Sequence, residues 1–164
     1  MPNNVNSRSQ TYIIAQAMQR CARCSELTAV IGIVLPAGHE TLATDPDADE
    51  VTRAADLWEV AEADAALFYI EHLSEGVLRR LRQFSQHYRI DSSDAAERLY
   101  WMNHCSLCGM SQGDFELHCE PEGAFVPISA EAAASIRMQE VLEPFAAQAA
   151  GYAYAPEFFD QAQR

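Results

Sequence analysis

Apolar positions fall into short blocks separated by polar turns, and each block predicts an element. Thr28-Ala29-Val30-Ile31-Gly32-Ile33-Val34-Leu35 is β-branched and almost wholly apolar, the pattern of a strand buried on both faces. Pro36-Ala37-Gly38 stops it. Ahead of it, Tyr12-Ile13-Ile14 predicts a strand over 11–18, although Ala15 to Gln19 would tolerate a helix. Leu57 to Val60 predicts a short strand and Ala66 to His72 a longer one. Ser74 then caps a helix ending near Gln86, with Leu73 and Leu78 as a hydrophobic staple and Val77, Leu78, Leu81 and Phe84 as its buried stripe.

Asp91-Ser92-Ser93-Asp94 predicts a turn, and residues 97–104 alternate as a strand with Tyr100, Met102 and His104 on one face. Asp114 to Cys119 alternates again and predicts a strand with Phe115, Leu117 and Cys119 together. Ser129 caps a second helix through about Leu142, with Pro144 beyond its end. Residues 1–10 offer nothing to bury and predict disorder. Residues 145–164 carry five aromatics, Phe145, Tyr152, Tyr154, Phe158 and Phe159, and predict docking on the domain or on a partner. Pro156 is placed to open a last short helix.

Cysteines join two of these blocks. Cys21-Ala22-Arg23-Cys24 follows the first strand, and Cys105-Ser106-Leu107-Cys108-Gly109 follows the strand at 97–104. Two Cys-x-x-Cys turns between strands supply four thiolates, the complement of a tetrahedral structural zinc site. The predicted ligands are therefore Cys21, Cys24, Cys105 and Cys108, with Zn2+ as structural cofactor. The long gap between the pairs makes 36–97 an insertion, which loop-closure entropy tolerates because it grows only logarithmically with length. Alternatives are a thioredoxin-like redox pair, whose motif opens a helix, or replacement of one ligand by His104, His118 or Cys119. His104 is expected to point off the opposite strand face, Cys119 reads as a core thiol, and the remaining histidines read as surface residues.

The two knuckles resemble the zinc-ribbon group. The longer strings Tyr100 to Cys105 and Gly113 to Cys119 are similar to uncharacterised bacterial proteins with paired knuckles. Ser25 departs from the glycine usual after a knuckle. The resemblance implies structural zinc and a role in binding nucleic acid or protein, and it covers only the two hairpins.

The expected fold is α+β: an antiparallel sheet built around two zinc-knuckle hairpins, an inserted strand–helix segment and a C-terminal helical region. The expected organisation is a disordered 1–10, one domain over 11–144 and the aromatic segment 145–164.

Charge bears on partners. The 164-residue chain has a formal net charge of −13, and all 11 of its basic residues are arginine. Such a molecule is repelled by nucleic acid phosphates and suited to a basic protein partner. Eight acids lie within 45–64: Asp45, Asp47, Asp49, Glu50, Asp56, Glu59, Glu62 and Asp64. They are the candidate partner-binding residues, since the stretch lacks the glycine and final glutamate of an EF-hand loop. An arginine cluster at Arg79, Arg80, Arg82 and Arg89 supports the alternative of a nucleic-acid accessory protein.

Four thiolates leave a metal no open position, and no nucleophile or phosphate-loop motif is present. The chain therefore reads as non-catalytic, with a thiol-redox or zinc-dependent enzyme as a weaker alternative. The expected role is an acidic immunity protein against a bacterial toxin, or an inhibitor of a nucleic-acid-binding protein. No apolar run approaches the ~18 residues of a membrane span, and no secretory signal is evident, so a cytoplasmic location is expected.

Overall fold

The computed structural model describes residues 5–42, 57–121 and 123–154. In chain order its elements are β1 (Ser7–Ser9), β2 (Tyr12–Arg20), β3 (Leu27–Leu35), β4 (Glu40–Leu42), β5 (Trp58–Val60), β6 (Ala65–Leu73), α1 (Glu75–Leu81) and β7 (Tyr88–Ser93). They continue with β8 (Arg98–His104), β9 (Ser111–Gln112), α2 (Asp114–His118), α3 (Ala130–Ala134), β10 (Arg137–Val141) and β11 (Phe145–Tyr154). All pairings are antiparallel, in one sheet ordered β10-β2-β3-β6-β11-β1-β4-β5, with β8 joined to β6, β7 and β9 off that path. The fold is α+β, a mostly antiparallel sheet with three short helices among the described residues. None of those helices is long and apolar enough to cross a membrane.

Strands β2 and β3 are buried on both faces. Tyr12, Ile14, Ile31, Ile33 and Leu35 enter one apolar cluster with Leu67, Ile70, Val77, Leu81 and Phe145. Ile13, Ala15, Val30 and Val34 enter another with Leu117, Phe125, Ile136 and Met138. Helix α1 covers the first face, whereas α2 and the segment through Phe125 to Ile136 cover the second. Both knuckle hairpins share the sheet with β6, but the second is closed by β9 and not by a strand at 114–119.

Several local expectations are corrected. Residues 7–9 form β1 rather than disorder, because β11 and β4 supply hydrogen-bonding edges on either side. The predicted turn at 91–94 is mostly strand β7, drawn into register along β8. Helix α1 ends at Leu81 instead of near Gln86, and the Ser74 side chain makes no capping bond.

The strand predicted at 114–119 is helix α2. Winding buries Leu117 and turns Phe115 and Cys119 outward, so the shared face expected of all three does not form. The helix predicted to reach Leu142 stops at Ala134, although Ser129 does cap it, accepting from the Ala132 N–H at 3.1 Å. Residues 137–141 pair instead with β2, whose apolar edge they cover. The C-terminal region is thus mainly strand, with β11 paired to both β6 and β1. The helix expected at Pro156 lies outside the described residues.

Candidate metal centre

Each Cys-x-x-Cys turn closes on the same backbone pattern. The Cys21 N–H donates to the Glu26 carbonyl at 2.9 Å, and the Ser25 N–H donates to the Cys21 carbonyl at 2.9 Å. In the second turn the Cys105 N–H donates to the Met110 carbonyl at 2.8 Å and the Gly109 N–H to the Cys105 carbonyl at 3.0 Å. The residue after each second cysteine takes positive φ, 64° at Ser25 and 79° at Gly109. Ser25 therefore adopts the conformation that glycine takes in the other knuckle.

The two turns bring four sulfurs together. Cys21 Sγ lies 3.5 Å from Cys108 Sγ, Cys24 Sγ lies 3.7 Å from Cys105 Sγ, and all four fall within 4.8 Å of one another. A metal–sulfur bond of about 2.3 Å gives a tetrahedron whose sulfur–sulfur edge is about 3.8 Å. A disulfide would instead need about 2.05 Å. The four thiols are thus spaced to hold one metal ion in a tetrahedral thiolate set, in an arrangement consistent with paired zinc knuckles. Cys21 and Cys105 are buried, while Cys24 and Cys108 reach partly to solvent.

Electrostatics distinguish the members of each pair. The Cys24 N–H, with that of Arg23 and the neighbouring thiols, lowers Cys21 to about 6 against the opposing cost of burial. The Cys108 and Leu107 N–H groups likewise lower Cys105. Cys24 receives the Glu26 N–H, but burial and hydrogen bonds with Cys105, Cys21 and Cys108 push it up to about 12. Thiols this close cannot all lose their protons unless a cation takes up the charge. Gln112 Nε2 also donates toward Cys21 Sγ at 3.5 Å and to the Met110 carbonyl at 3.1 Å, bridging the knuckles.

Polar side chains within the apolar strands hold the knuckles in register. Asn103 donates to the Ile31 carbonyl and accepts the Ile31 N–H, both at 2.9 Å, so its side-chain amide joins β8 to β3, which share no backbone pairing. The Ser106 N–H donates to Thr28 Oγ1 at 3.0 Å. Sequence reading missed these groups, although a buried Thr28 and Asn103 inside apolar strands were the available signal.

The histidines stand apart from the thiol cluster. His104 lies on the buried side of β8, with Nε2 2.8 Å from Asp91 Oδ2, and this contact is the first cause holding Asp91 below its ordinary value. His118 stacks on Phe125 at 5.0 Å, and burial lowers it to about 4. His39, expected at the surface, is buried with Nδ1 2.7 Å from the Pro36 carbonyl. Cys119, expected in the core, is exposed because α2 turns it outward.

Of the candidate partner-binding acids, Asp45, Asp47, Asp49, Glu50 and Asp56 lie outside the described residues. Glu59 and Glu62 are exposed, while Asp64 accepts the Ala37 N–H at 2.8 Å and braces the turn after β3. The arginine cluster is divided. Arg80 makes two hydrogen bonds to Glu143, at 2.8 and 2.9 Å, whereas Arg79, Arg82 and Arg89 are exposed.

Fold and site together define an α+β protein whose sheet carries a four-cysteine candidate metal centre joining two hairpins. Searches against protein-family models, curated proteins and solved structures returned no match for this chain.

Proposed function

We propose that this chain is a non-catalytic, zinc-stabilised acidic protein that binds a basic protein partner. The supporting observation is the closed set of four sulfurs spaced at 3.5 and 3.7 Å across the knuckles. Four thiolates favour Zn2+ and fill its tetrahedron, leaving no position for water or substrate. Such an ion holds structure and does not activate a nucleophile.

The partner class follows from charge. A net charge of −13 disfavours phosphate backbones and favours a cationic protein surface, such as the site of a nucleic-acid-binding protein or toxin that this chain would inhibit. The reading predicts that partners recovered with the zinc-loaded chain are basic and that their affinity falls at least about tenfold as salt rises from about 50 to about 300 mM. Salt-independent association, or tight binding of duplex DNA or RNA at low salt, would count against it.

A further inference from the structure

A cavity of about 620 Å³ lies between β6, the β7–β8 hairpin and α2, apart from the metal centre. Tyr69, Tyr100 and Phe115 line it together with the exposed carboxylates of Asp94, Glu116 and Glu120, and among the described residues no arginine or histidine lines it. Among the described residues none of those three carboxylates forms an ion pair.

The aromatic wall is fixed from behind. Tyr69 has φ 55° within a strand, a conformation costing roughly 1–2 kcal/mol for a residue with a side chain. Buried Asp114 holds it there, with Oδ2 accepting the Tyr69 N–H at 2.8 Å, while Tyr100 Oη accepts the Asp114 N–H at 3.1 Å. The two tyrosine rings meet edge to face at 5.1 Å. Phe115, turned outward by α2, is 54% exposed and adds a third ring.

The chain supplies its own example of what this wall attracts. The Arg98 guanidinium lies 5.4 Å from the Tyr69 ring centroid and 3.5 Å from a Glu71 oxygen. Aromatic faces attract cations through their quadrupole, and free carboxylates add charge complementarity, so the combination selects guanidinium or ammonium over anionic groups.

We propose that this cleft receives an arginine or lysine side chain of the partner protein. The proposal rests on the basic-partner reading and gives it a contact surface on the described part of the chain.

The test uses the zinc-loaded full chain, labelled with ¹⁵N and titrated at low salt with nona-arginine peptide and with N-acetylarginine amide. Both probes should shift the amides of Tyr69, Tyr100, Ser111 and Gly113. A folded Glu116→Gln/Glu120→Gln variant should bind nona-arginine about fivefold or more weakly, as expected for the loss of two partly exposed charge pairs. The control Glu131→Gln/Glu140→Gln, two exposed acids away from the cleft, should bind like the parent. Salt-dependent binding that ignores E116Q/E120Q and shifts other amides would overturn the cleft and leave the basic-partner reading standing. Failure of nona-arginine to bind would overturn both.

Discussion

Ser25 and Gly109 occupy the same step of two knuckles far apart in the chain, at φ 64° and 79°. A Cβ in that conformation crowds the following carbonyl, at a cost of roughly 1–2 kcal/mol. Ser25→Gly should therefore stabilise the protein by up to about 1 kcal/mol, and Gly109→Ala should destabilise it by about 1–2 kcal/mol, both measured by urea denaturation of the metal-loaded chain. The missing glycine after Cys24 weakened the sequence signal without changing the geometry, because backbone hydrogen bonds enforce the turn on serine. Asp114 gives a second prediction. Burial raises it from 3.8 to about 7, so the folded state binds its proton more tightly than the unfolded chain does. Its stabilising contribution is complete below about pH 4 and disappears as pH rises through about 7. Asp114→Asn keeps an acceptor for the Tyr69 N–H. The stability of the variant relative to the parent should rise by a few kcal/mol across that window, read from denaturation midpoints at each pH. An unchanged difference would mean that Asp114 is not buried in this way.

Strands β2, β3, β6 and β8 were legible because each carries its own apolar block and needs no distant partner to identify it. Elements whose form depends on tertiary partners were not. The alternation from Asp114 to Cys119 resembles a strand, yet the Asp114 carboxylate must reach the Tyr69 N–H and Leu117 must fill the pocket beneath Phe125, which a helix allows. Ala130–Ala134 forms a helix that the following residues abandon, since the edge of β2 offers hydrogen bonds to Arg137–Val141. The join between β3 and β8 was equally hidden, because it runs through one side chain. Asn103→Leu would leave the Ile31 N–H and carbonyl without their partner, at a cost of about 2–4 kcal/mol. Loss of stability should be accompanied by faster hydrogen exchange at Ile31. Unchanged exchange there would argue against the amide as a strand surrogate.

Over the whole molecule the four cysteines were the most legible feature of the candidate site, since Cys-x-x-Cys spacing is written locally. The brace around them was not, because Thr28, Asn103 and Gln112 acquire their roles only when the hairpins meet. The cluster joins the β2–β3 and β8–β9 hairpins across 81 and 87 residues of chain, so a bound ion would close a loop running from β3 through β8, half of the described elements. Such an ion contributes on the order of 10 kcal/mol of folding free energy. The central claim is that one zinc ion on these thiolates holds the fold together, and native mass spectrometry of the purified chain with its cysteine variants tests it most directly. One zinc per chain is expected in the parent and in Cys119→Ser, and none in Cys105→Ser, which should appear as the broad, highly charged distribution of an unfolded chain. A metal-free parent with the narrow charge distribution of a compact protein would contradict the claim, as would a compact Cys105→Ser that still carries zinc.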